Sequence, residues 1–198
     1  MKVATVAASA SILLTASIIG EIAQAKPTYT MLDAGTTADG INDSGFIAGT
    51  AGYSRGFVRA PDGTMIYFDA PGEIRVSAIN ASGAVIGYYG DGNEIGFVRE
   101  PDGTLTEFEA PDAGHGGSGY GTWATSINSS GTIAGEYADN NGAVHGFVRT
   151  GNGTITEFDV PQFYTTTANS INDSGTIAGT YSVHRLFATA SYERLRGR

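Results

Sequence analysis

The sequence INDSGTIAGT at residues 171–180 repeats INDSGFIAGT at residues 41–50 at nine of ten positions. Two further copies, INASGAVIGY from Ile79 and INSSGTIAGE from Ile127, lie between them, so the copies begin 38, 48 and 44 residues apart. A period of about 20 to 50 residues is typical of repeat proteins, in which each copy forms one supersecondary unit. The stretch therefore predicts four structural units built on one plan.

Each copy places three residues ending in glycine between two runs that are rich in β-branched residues. Such a loop fits a type I turn followed by a glycine in the left-handed region. We therefore assign a structural role in the turn to four glycines: Gly45, Gly83, Gly131 and Gly175. The loop length also sets the register and predicts four cross-strand pairs: Ile41 with Ile47, Ile79 with Val85, Ile127 with Ile133, and Ile171 with Ile177.

A second hairpin is predicted in three units, at PDGT from residues 61 and 101 and at GNGT from residue 151. Asp-Gly and Asn-Gly favour two-residue loops. Loops of that length would place three phenylalanine pairs opposite each other: Phe57 with Phe68, Phe97 with Phe108, and Phe147 with Phe158. Because Pro61 and Pro101 have no N–H to donate, a three-residue loop with the proline inside is the alternative.

Each unit is therefore predicted to be an antiparallel meander of four strands in about 40 residues, as in a propeller blade. We predict an all-β fold in one repeat domain, residues 26–198, with units starting near residues 36, 74, 122 and 166. We favour a small four-bladed β-propeller. The last unit lacks an outer strand, so residues 28–35 are expected to complete it by pairing near Leu186–Thr189 and to close the ring. An open stack of blades is the alternative.

The N-terminus predicts export. Residues 1–25 place Lys2 before a long apolar stretch and end in Ala23-Gln24-Ala25, a pattern typical of a cleaved signal peptide. An N-terminal membrane anchor is the alternative, because the apolar run approaches the length that spans a bilayer. The chain has no cysteine, so no disulfide supports the fold. We expect a secreted, periplasmic or cell-surface protein with no stable membrane span after cleavage.

The charge of the chain limits its partners. The net charge is −9, with 11 basic and 20 acidic residues. Nucleic acid is not expected as a partner, because neutralising phosphates requires clustered Lys and Arg. A carbohydrate polymer or another protein is expected instead. No motif for a cofactor or a nucleophile elbow is present, so we predict no cofactor and assign no catalytic residue.

The long insertion at residues 111–123, PDAGHGGSGYGTW, is the candidate binding segment. It carries His115, Tyr120 and Trp123, and long loops on a rigid scaffold are common places for binding sites. A flexible glycine-rich surface loop is the alternative. The three histidines, His115, His145 and His184, fall in different units at different motif positions, so no metal site is predicted.

Two other recurring features have structural explanations. Arg59, Arg99 and Arg149 recur at one position, and cross-strand ion pairs are expected with acidic residues of the next strand: Asp69, Glu107 and Glu157. An acid–base pair for glycoside cleavage is the alternative, although a catalytic pair is normally unique rather than repeated. The Asn-x-Ser/Thr triplets of the repeats match glycosylation sites, but their fixed place in the turns favours a structural role.

The pattern INxSGxIxG followed by GFVRxxDGTxxxF resembles a bacterial family of predicted extracellular repeat proteins, named HAF after a His-Ala-Phe signature. The resemblance covers roughly residues 28 to 190, and VHGFVR at residues 144–149 supplies the signature histidine, His145. It implies an exported, propeller-type or related all-β protein, and it implies no common activity.

These observations predict an exported repeat protein that works as a binding or structural module. A carbohydrate-active enzyme, glycosidase or lyase, on the same scaffold is one alternative. A fragment of a longer repeat array without independent activity is another. A cluster of carboxylates with a His or Tyr around one cleft would favour the enzyme, whereas repeated shallow loops would favour the module.

Overall fold

The fold is all-β. The computed structural model describes residues 12–15, 28–182 and 189–193, and these residues contain strands and no helix. No helix there is long and apolar enough to span a membrane. The strands are β1 Ile12–Thr15, β2 Thr28–Met31, β3 Thr36–Ile41, β4 Ile47–Ala51, β5 Arg55–Arg59, β6 Met65–Asp69, β7 Glu73–Ile79, β8 Val85–Gly90, β9 Asn93–Arg99, β10 Leu105–Phe108, β11 Tyr120–Ile127, β12 Ile133–Ala138, β13 Val144–Arg149, β14 Ile155–Phe158, β15 Thr165–Ile171, β16 Ile177–Ser182 and β17 Thr189–Glu193.

Strands β3 to β17 form four consecutive antiparallel meanders. Unit 1 comprises β3–β6, unit 2 β7–β10, unit 3 β11–β14 and unit 4 β15–β17. Unit 1 is a separate four-stranded sheet, whereas units 2 to 4 join into one sheet of eleven strands. The junctions are short parallel bridges, Tyr120 with Asn93 and Val144 with Thr165. One plan is thus repeated along the chain.

The first hairpin of each unit has the predicted register. Ile41 lies opposite Ile47, and the equivalent pairs in the other units are also present. In unit 1 the Asn42 N–H donates to the Phe46 carbonyl at 3.0 Å, and the Gly45 N–H donates to the Asn42 carbonyl at 2.9 Å. Gly45 has a φ of 80°, which a side chain would disfavour. The turn therefore requires glycine as its third residue.

The prediction that phenylalanines face each other across the second hairpin is wrong by one residue. Phe57 lies opposite Tyr67, and Phe68 lies opposite Gly56. The reason is the loop: the Gly63 N–H donates to the Ala60 carbonyl at 2.9 Å, so three residues, Pro-Asp-Gly, form the turn. Units 2 and 3 repeat this register. The alternative with proline inside a three-residue loop is confirmed.

The displaced phenylalanine rings cover glycines on the neighbouring strand. A Cβ on Gly96 would lie 2.8 Å from the Phe108 ring, and one on Gly87 would lie 2.8 Å from the Phe97 ring. Phe97 is completely buried. Across the junction of units 1 and 2, its ring meets Phe68 edge-on with centroids 6.0 Å apart. The glycines in GFVR and IAG-type stretches therefore provide space for aromatic rings that join one unit to the next.

The asparagine of each INxSG turn connects its unit to the next one. Nδ2 of Asn42 donates to the Asn80 carbonyl at 3.0 Å, Nδ2 of Asn80 to the Asn128 carbonyl at 3.2 Å, and Nδ2 of Asn128 to the Asn172 carbonyl at 3.1 Å. We call this series the asparagine ladder. Asn80 and Asn128 are 5% exposed, which supports the structural reading of these glycosylation-like triplets.

The four first hairpins curve around one depression. Its volume is about 220 Å³, and turn residues of all four units line it, including Asn42, Asn80, Asn128 and Asp173. The units therefore bend about a common axis instead of extending in a flat row.

Closure of the ring by residues 28–35 is not seen. Strand β2 pairs antiparallel with β1, whose sequence is Ile-Leu-Leu-Thr, instead of with the last unit. Strand β17 pairs with β16. Residues 183–188, which include most of the expected partner strand, lie outside the described residues. Ile41 of unit 1 is 53% exposed, whereas Ile79, packed beside Gly40 of the preceding unit, is 8% exposed. A closed four-unit ring remains a prediction.

Candidate functional site

The insertion that carries His115 and Tyr120 is held against the strand ends of units 2 and 3. The His115 N–H donates to Oδ1 of Asn140 at 3.3 Å, and the Gly117 N–H donates to Oδ1 of Asn93 at 3.2 Å. The Tyr120 ring packs against the glycines of the loop, since a Cβ on Gly116 would lie 3.0 Å from it. The insertion is thus joined by hydrogen bonds to residues of both neighbouring units.

The three predicted binding residues have different neighbours. Nδ1 of His115 lies 3.8 Å from Oε1 of Glu109, and both side chains are well exposed. Tyr120 is the first residue of β11, and Trp123 lies three residues further along that strand, directly opposite Glu136 of β12. The cross-strand partner of Trp123 is therefore a residue of the neighbouring strand and not a residue of the insertion.

Trp123 and Glu136 occupy a repeat position at which the outer units carry threonine. Thr37 faces Thr50 in unit 1, and Thr167 faces Thr180 in unit 4 with their hydroxyl oxygens 2.7 Å apart. The two central units replace these threonine pairs by Arg75 with Tyr88 in unit 2 and Trp123 with Glu136 in unit 3. We call Arg75, Tyr88, Trp123 and Glu136 the central patch.

The central patch lies where each unit meets the following one. Ile86 is two residues before Tyr88 and so shares its face of the strand, and Ile86 packs in one cluster with Ala124 of unit 3. In the same way Ala134, two residues before Glu136, packs with Ala168 of unit 4. Arg75 is exposed, and the other three residues of the patch are half-buried. The patch is therefore partly desolvated yet open to a ligand.

Charged groups surround the hydroxyl of Tyr88. Burial raises the pKa of this hydroxyl, and Arg75 opposes that rise. Three carboxylates reinforce it: Glu94, Glu136 and Glu73. Glu73 also forms an ion pair with Arg75. Tyr88 thus remains a neutral hydroxyl that can donate or accept a hydrogen bond among ionised side chains.

Glu136 is the single carboxyl of the central patch. Burial raises its pKa, and among the described residues no charged group lowers it. Burial also raises the pKa of Glu94, and the charge of Glu73 adds to that rise. Carboxyls with raised pKa values beside an aromatic residue are typical of functional sites, although structural networks also produce them.

A second cluster, outside the central patch, surrounds His145. Its Nδ1 lies 2.9 Å from Oδ2 of Asp159, and its Nε2 lies 3.7 Å from Oδ2 of Asp139. The ring stacks on Tyr137 with centroids 4.9 Å apart. Both ring nitrogens thus face carboxylates, which fits a structural link between β13 and β14. His184 lies outside the described residues, and within the described part no three acidic or histidine side chains are arranged to hold a metal ion.

The recurring arginines do not form the expected cross-strand ion pairs. Arg99 lies opposite Leu105, and Arg149 lies opposite Ile155, while Glu107 and Glu157 lie opposite Phe97 and Phe147. Their guanidinium groups instead stack on phenylalanines of the preceding unit, with Cζ of Arg149 4.8 Å from the centre of Phe108. Glu107 and Glu157 act instead on the hydroxyls of Tyr89 and Tyr137, where each carboxylate adds to the rise in the tyrosine pKa that burial causes.

No family model and no curated protein matches the chain. Among solved structures, virginiamycin B lyase from Staphylococcus aureus is similar, with a TM-score of 0.46 and 17% identity over 87% of this chain and 61% of that chain. A catalytically inactive variant of the same enzyme with Quinupristin gives 0.46 and 18%, over 84% and 60%. The chain spans about three fifths of the length of these structures. A likeness of this degree assigns neither a ligand nor an activity.

The sequence prediction included Trp123 but missed Arg75, Tyr88 and Glu136. These three residues lie within strands, and only the pairing of strands brings them together. A signal was nevertheless present in the repeats. When the units are aligned on Ile-Asn, the position four residues before Ile79 and its equivalents carries Thr37, Arg75, Trp123 and Thr167. At this position the two outer units both keep threonine, whereas the two central units carry larger side chains of different chemistry.

Proposed function

We propose that the protein is an exported, propeller-type binding module and that its central patch binds a carbohydrate polymer. The observation that supports this proposal is the replacement of threonine pairs by Arg75 with Tyr88 and by Trp123 with Glu136. The outer units keep the scaffold residues, so the change is confined to the middle of the repeat. A site placed on a regular scaffold has this property.

The chemistry of the patch suits sugars. The indole of Trp123 offers an apolar face with a polar N–H at its edge, and it can pack against the C–H face of a sugar ring. Glu136 and Tyr88 supply acceptors and donors for hydroxyl groups, and Arg75 supplies several N–H donors. A few polar groups on an aromatic-lined surface are the usual composition of small-molecule sites.

The arrangement of units also suits a polymer ligand. Tyr88 and Glu136 lie on equivalent faces of consecutive units, and the charge of Glu136 reaches Tyr88. An extended chain crossing the junction of units 2 and 3 would meet both pairs. The acidic balance of −9 disfavours a strongly anionic polymer, so neutral or amino sugars are the proposed class.

The test is a glycan-array screen of the unchanged chain and of two variants, each of which lacks one aromatic side chain. Trp123→Ala is expected to abolish saturable binding, whereas Tyr53→Ala, which removes an aromatic ring that is 79% exposed elsewhere, should leave it intact. Thermal unfolding of both variants checks that the fold is retained. Glycan binding that survives Trp123→Ala would contradict the central patch as the binding site. No binding across the array would contradict the proposal and favour a protein partner.

A carbohydrate-active enzyme on the same scaffold is the second candidate, and Glu136 is the observation that favours it. A carboxyl whose pKa is raised by burial keeps its proton to a higher pH than a solvated one and can then act as a general acid. If the ligand is cleaved, Glu136→Gln should abolish the release of reducing ends while preserving binding. Equal release by the variant would exclude this residue as the acid.

A further inference from the structure

Equivalent clefts lie at the junctions of units 1 and 2 and of units 2 and 3. The first has a volume of about 190 Å³ and the second about 240 Å³. Each is formed by the INxSG turns of two adjacent units and has the recurring arginine in its wall, Arg99 in the first and Arg149 in the second. Both clefts lie away from the central patch, and neither takes part in the proposed carbohydrate site.

Arg99 is a buried cation with an unused donor. The residue is 7% exposed, its Cζ lies 5.2 Å from the centre of the Phe68 ring, and its Nη1 donates to the Glu100 carbonyl at 3.2 Å. Within the described residues its Nε–H is buried and has no hydrogen-bond partner. The charge of Arg99 acts on the exposed carboxylate of Asp102, but the buried Nε–H makes no hydrogen bond to it or to any other described group. An anion that reached this guanidinium from the cleft would therefore gain a strong charge-assisted interaction.

The two clefts differ in the residues that accompany the arginine. The cleft at Arg149 also contains Glu100, whose charge acts on that guanidinium. At the position of Glu100 the preceding unit has Ala60, so no carboxylate lines the cleft at Arg99. Its walls are instead largely apolar, formed by Phe46, Val58, Ile66 and Pro101.

We propose that the cleft between units 1 and 2 binds a small organic anion, a carboxylate with an aromatic or short aliphatic body. The carboxylate group pairs with the guanidinium of Arg99, and the apolar body lies against Phe46 and Ile66. The volume of about 190 Å³ suits a molecule with roughly one ring. The second cleft does not take such an anion, because Glu100 repels it.

The test is a titration of the ¹⁵N-labelled chain with benzoate, followed by amide chemical shifts at physiological ionic strength. Gly83 lines the first cleft and Gly131 the equivalent place in the second, so the two amides report on the two clefts separately. Benzoate is expected to shift Gly83 saturably with a Kd of about 1 mM or tighter, and to leave Gly131 unchanged. Benzyl alcohol, which has the same ring without the charge, should bind at least about tenfold more weakly.

Three variants distinguish an effect of the Arg99 charge on binding from an effect on folding. Arg99→Met keeps a long apolar stem against Phe68 and should abolish benzoate binding, whereas the matched change Arg149→Met should not affect it. Ala60→Glu reproduces the carboxylate of the second cleft, leaves Arg99 in place, and should weaken binding about tenfold or more. Equal binding of benzoate and benzyl alcohol, equal shifts at Gly83 and Gly131, or unchanged affinity in Ala60→Glu would overturn the proposal.

Discussion

At the scale of single residues, Asn80 shows how one side chain serves two units at once. Its Oδ1 accepts hydrogen bonds from the Ser82 N–H, the Ser82 hydroxyl and the Ala84 N–H of its own turn, at 3.1, 2.7 and 2.9 Å. Its Nδ2 donates to the Asn128 carbonyl of the next unit. Because aspartate retains only the acceptor, the two functions can be separated by substitution.

We predict that Asn80→Asp destabilises the protein by about 1–3 kcal/mol, because a buried carbonyl loses its donor and a charge is buried beside it. Asn172 caps its own turn in the same way, is exposed, and makes no Nδ2 bond within the described residues. Asn172→Asp is therefore the matched control and should change stability by less than about 0.5 kcal/mol. Urea unfolding of both variants measures the difference, and equal losses would show that the ladder bond is unimportant.

Glu136 provides a prediction about pH. Its folded-state pKa is raised by burial, so the protonated form is favoured in the folded protein, and the carboxyl costs stability as the pH rises through that pKa. Glu136→Gln should therefore stabilise the protein at pH 7, by an amount on the order of 1 kcal/mol, and have a much smaller effect near pH 4. Thermal unfolding at the two pH values is the measurement. A gain that is larger in acid would mean that the environment of Glu136 favours the ionised form.

At the scale of elements, the two hairpins of each unit show that the length of a loop determines which residues face each other across the strands. The first hairpin was predicted in register because its glycine must take the third place of a three-residue loop, and that fixes every pair from Ile41 with Ile47 onward. The second hairpin was predicted one residue out of register because Asp-Gly alone favours a shorter loop. The turn instead spans three residues ending in glycine, in unit 3 with Gly151 as well as in units 1 and 2 with proline, and this shift moves Phe68 from Phe57 onto Gly56.

The pairing of glycine with phenylalanine gives a prediction for a strand. A Cβ on Gly87 would lie 2.0 Å from the Arg75 carbonyl oxygen and 2.8 Å from the Phe97 ring, and neither neighbour can move freely in a packed sheet. Gly87→Ala should therefore cost about 3 kcal/mol or more. At Gly151 the nearest atom would be 3.5 Å away, so Gly151→Ala should be tolerated. Denaturant unfolding compares the two, and similar stabilities would contradict the packing argument.

Three of the four residues of the central patch, Arg75, Tyr88 and Glu136, were missed by the sequence prediction because they lie within strands. Loops carry recognisable signals, and the insertion with His115, Tyr120 and Trp123 was found through its length and composition. Within the strands only a comparison of the repeats marks these residues, and it does not show their neighbours, which come from pairing at a distance in sequence. Tyr88 and Arg75 are 13 positions apart in the chain and opposite each other in the sheet.

At the scale of the whole molecule, the segment before unit 1 contributes to the core. Leu32 is 8% exposed and packs in one cluster with Ile47 and Phe57, whereas Met31 beside it is 56% exposed. We predict that Leu32→Ala lowers stability by about 2–3 kcal/mol and that Met31→Ala changes it little. Calorimetry of both variants in the full chain is the measurement. An equally stable Leu32→Ala variant would mean that this segment is only loosely attached to unit 1.

The asparagine ladder has a direction, and the direction bears on how such a chain can evolve. Each donor is a side chain of the earlier unit, and each acceptor is a main-chain carbonyl of the later one. A main-chain carbonyl is present whatever the residue type. If a copied unit followed unit 4, the Nδ2 group of Asn172 would therefore be available to donate to the turn carbonyl of the new unit. Gene duplication could therefore lengthen the protein by whole units without compensating mutations at the new junction, whereas loss of a single asparagine would weaken only the junction that follows it.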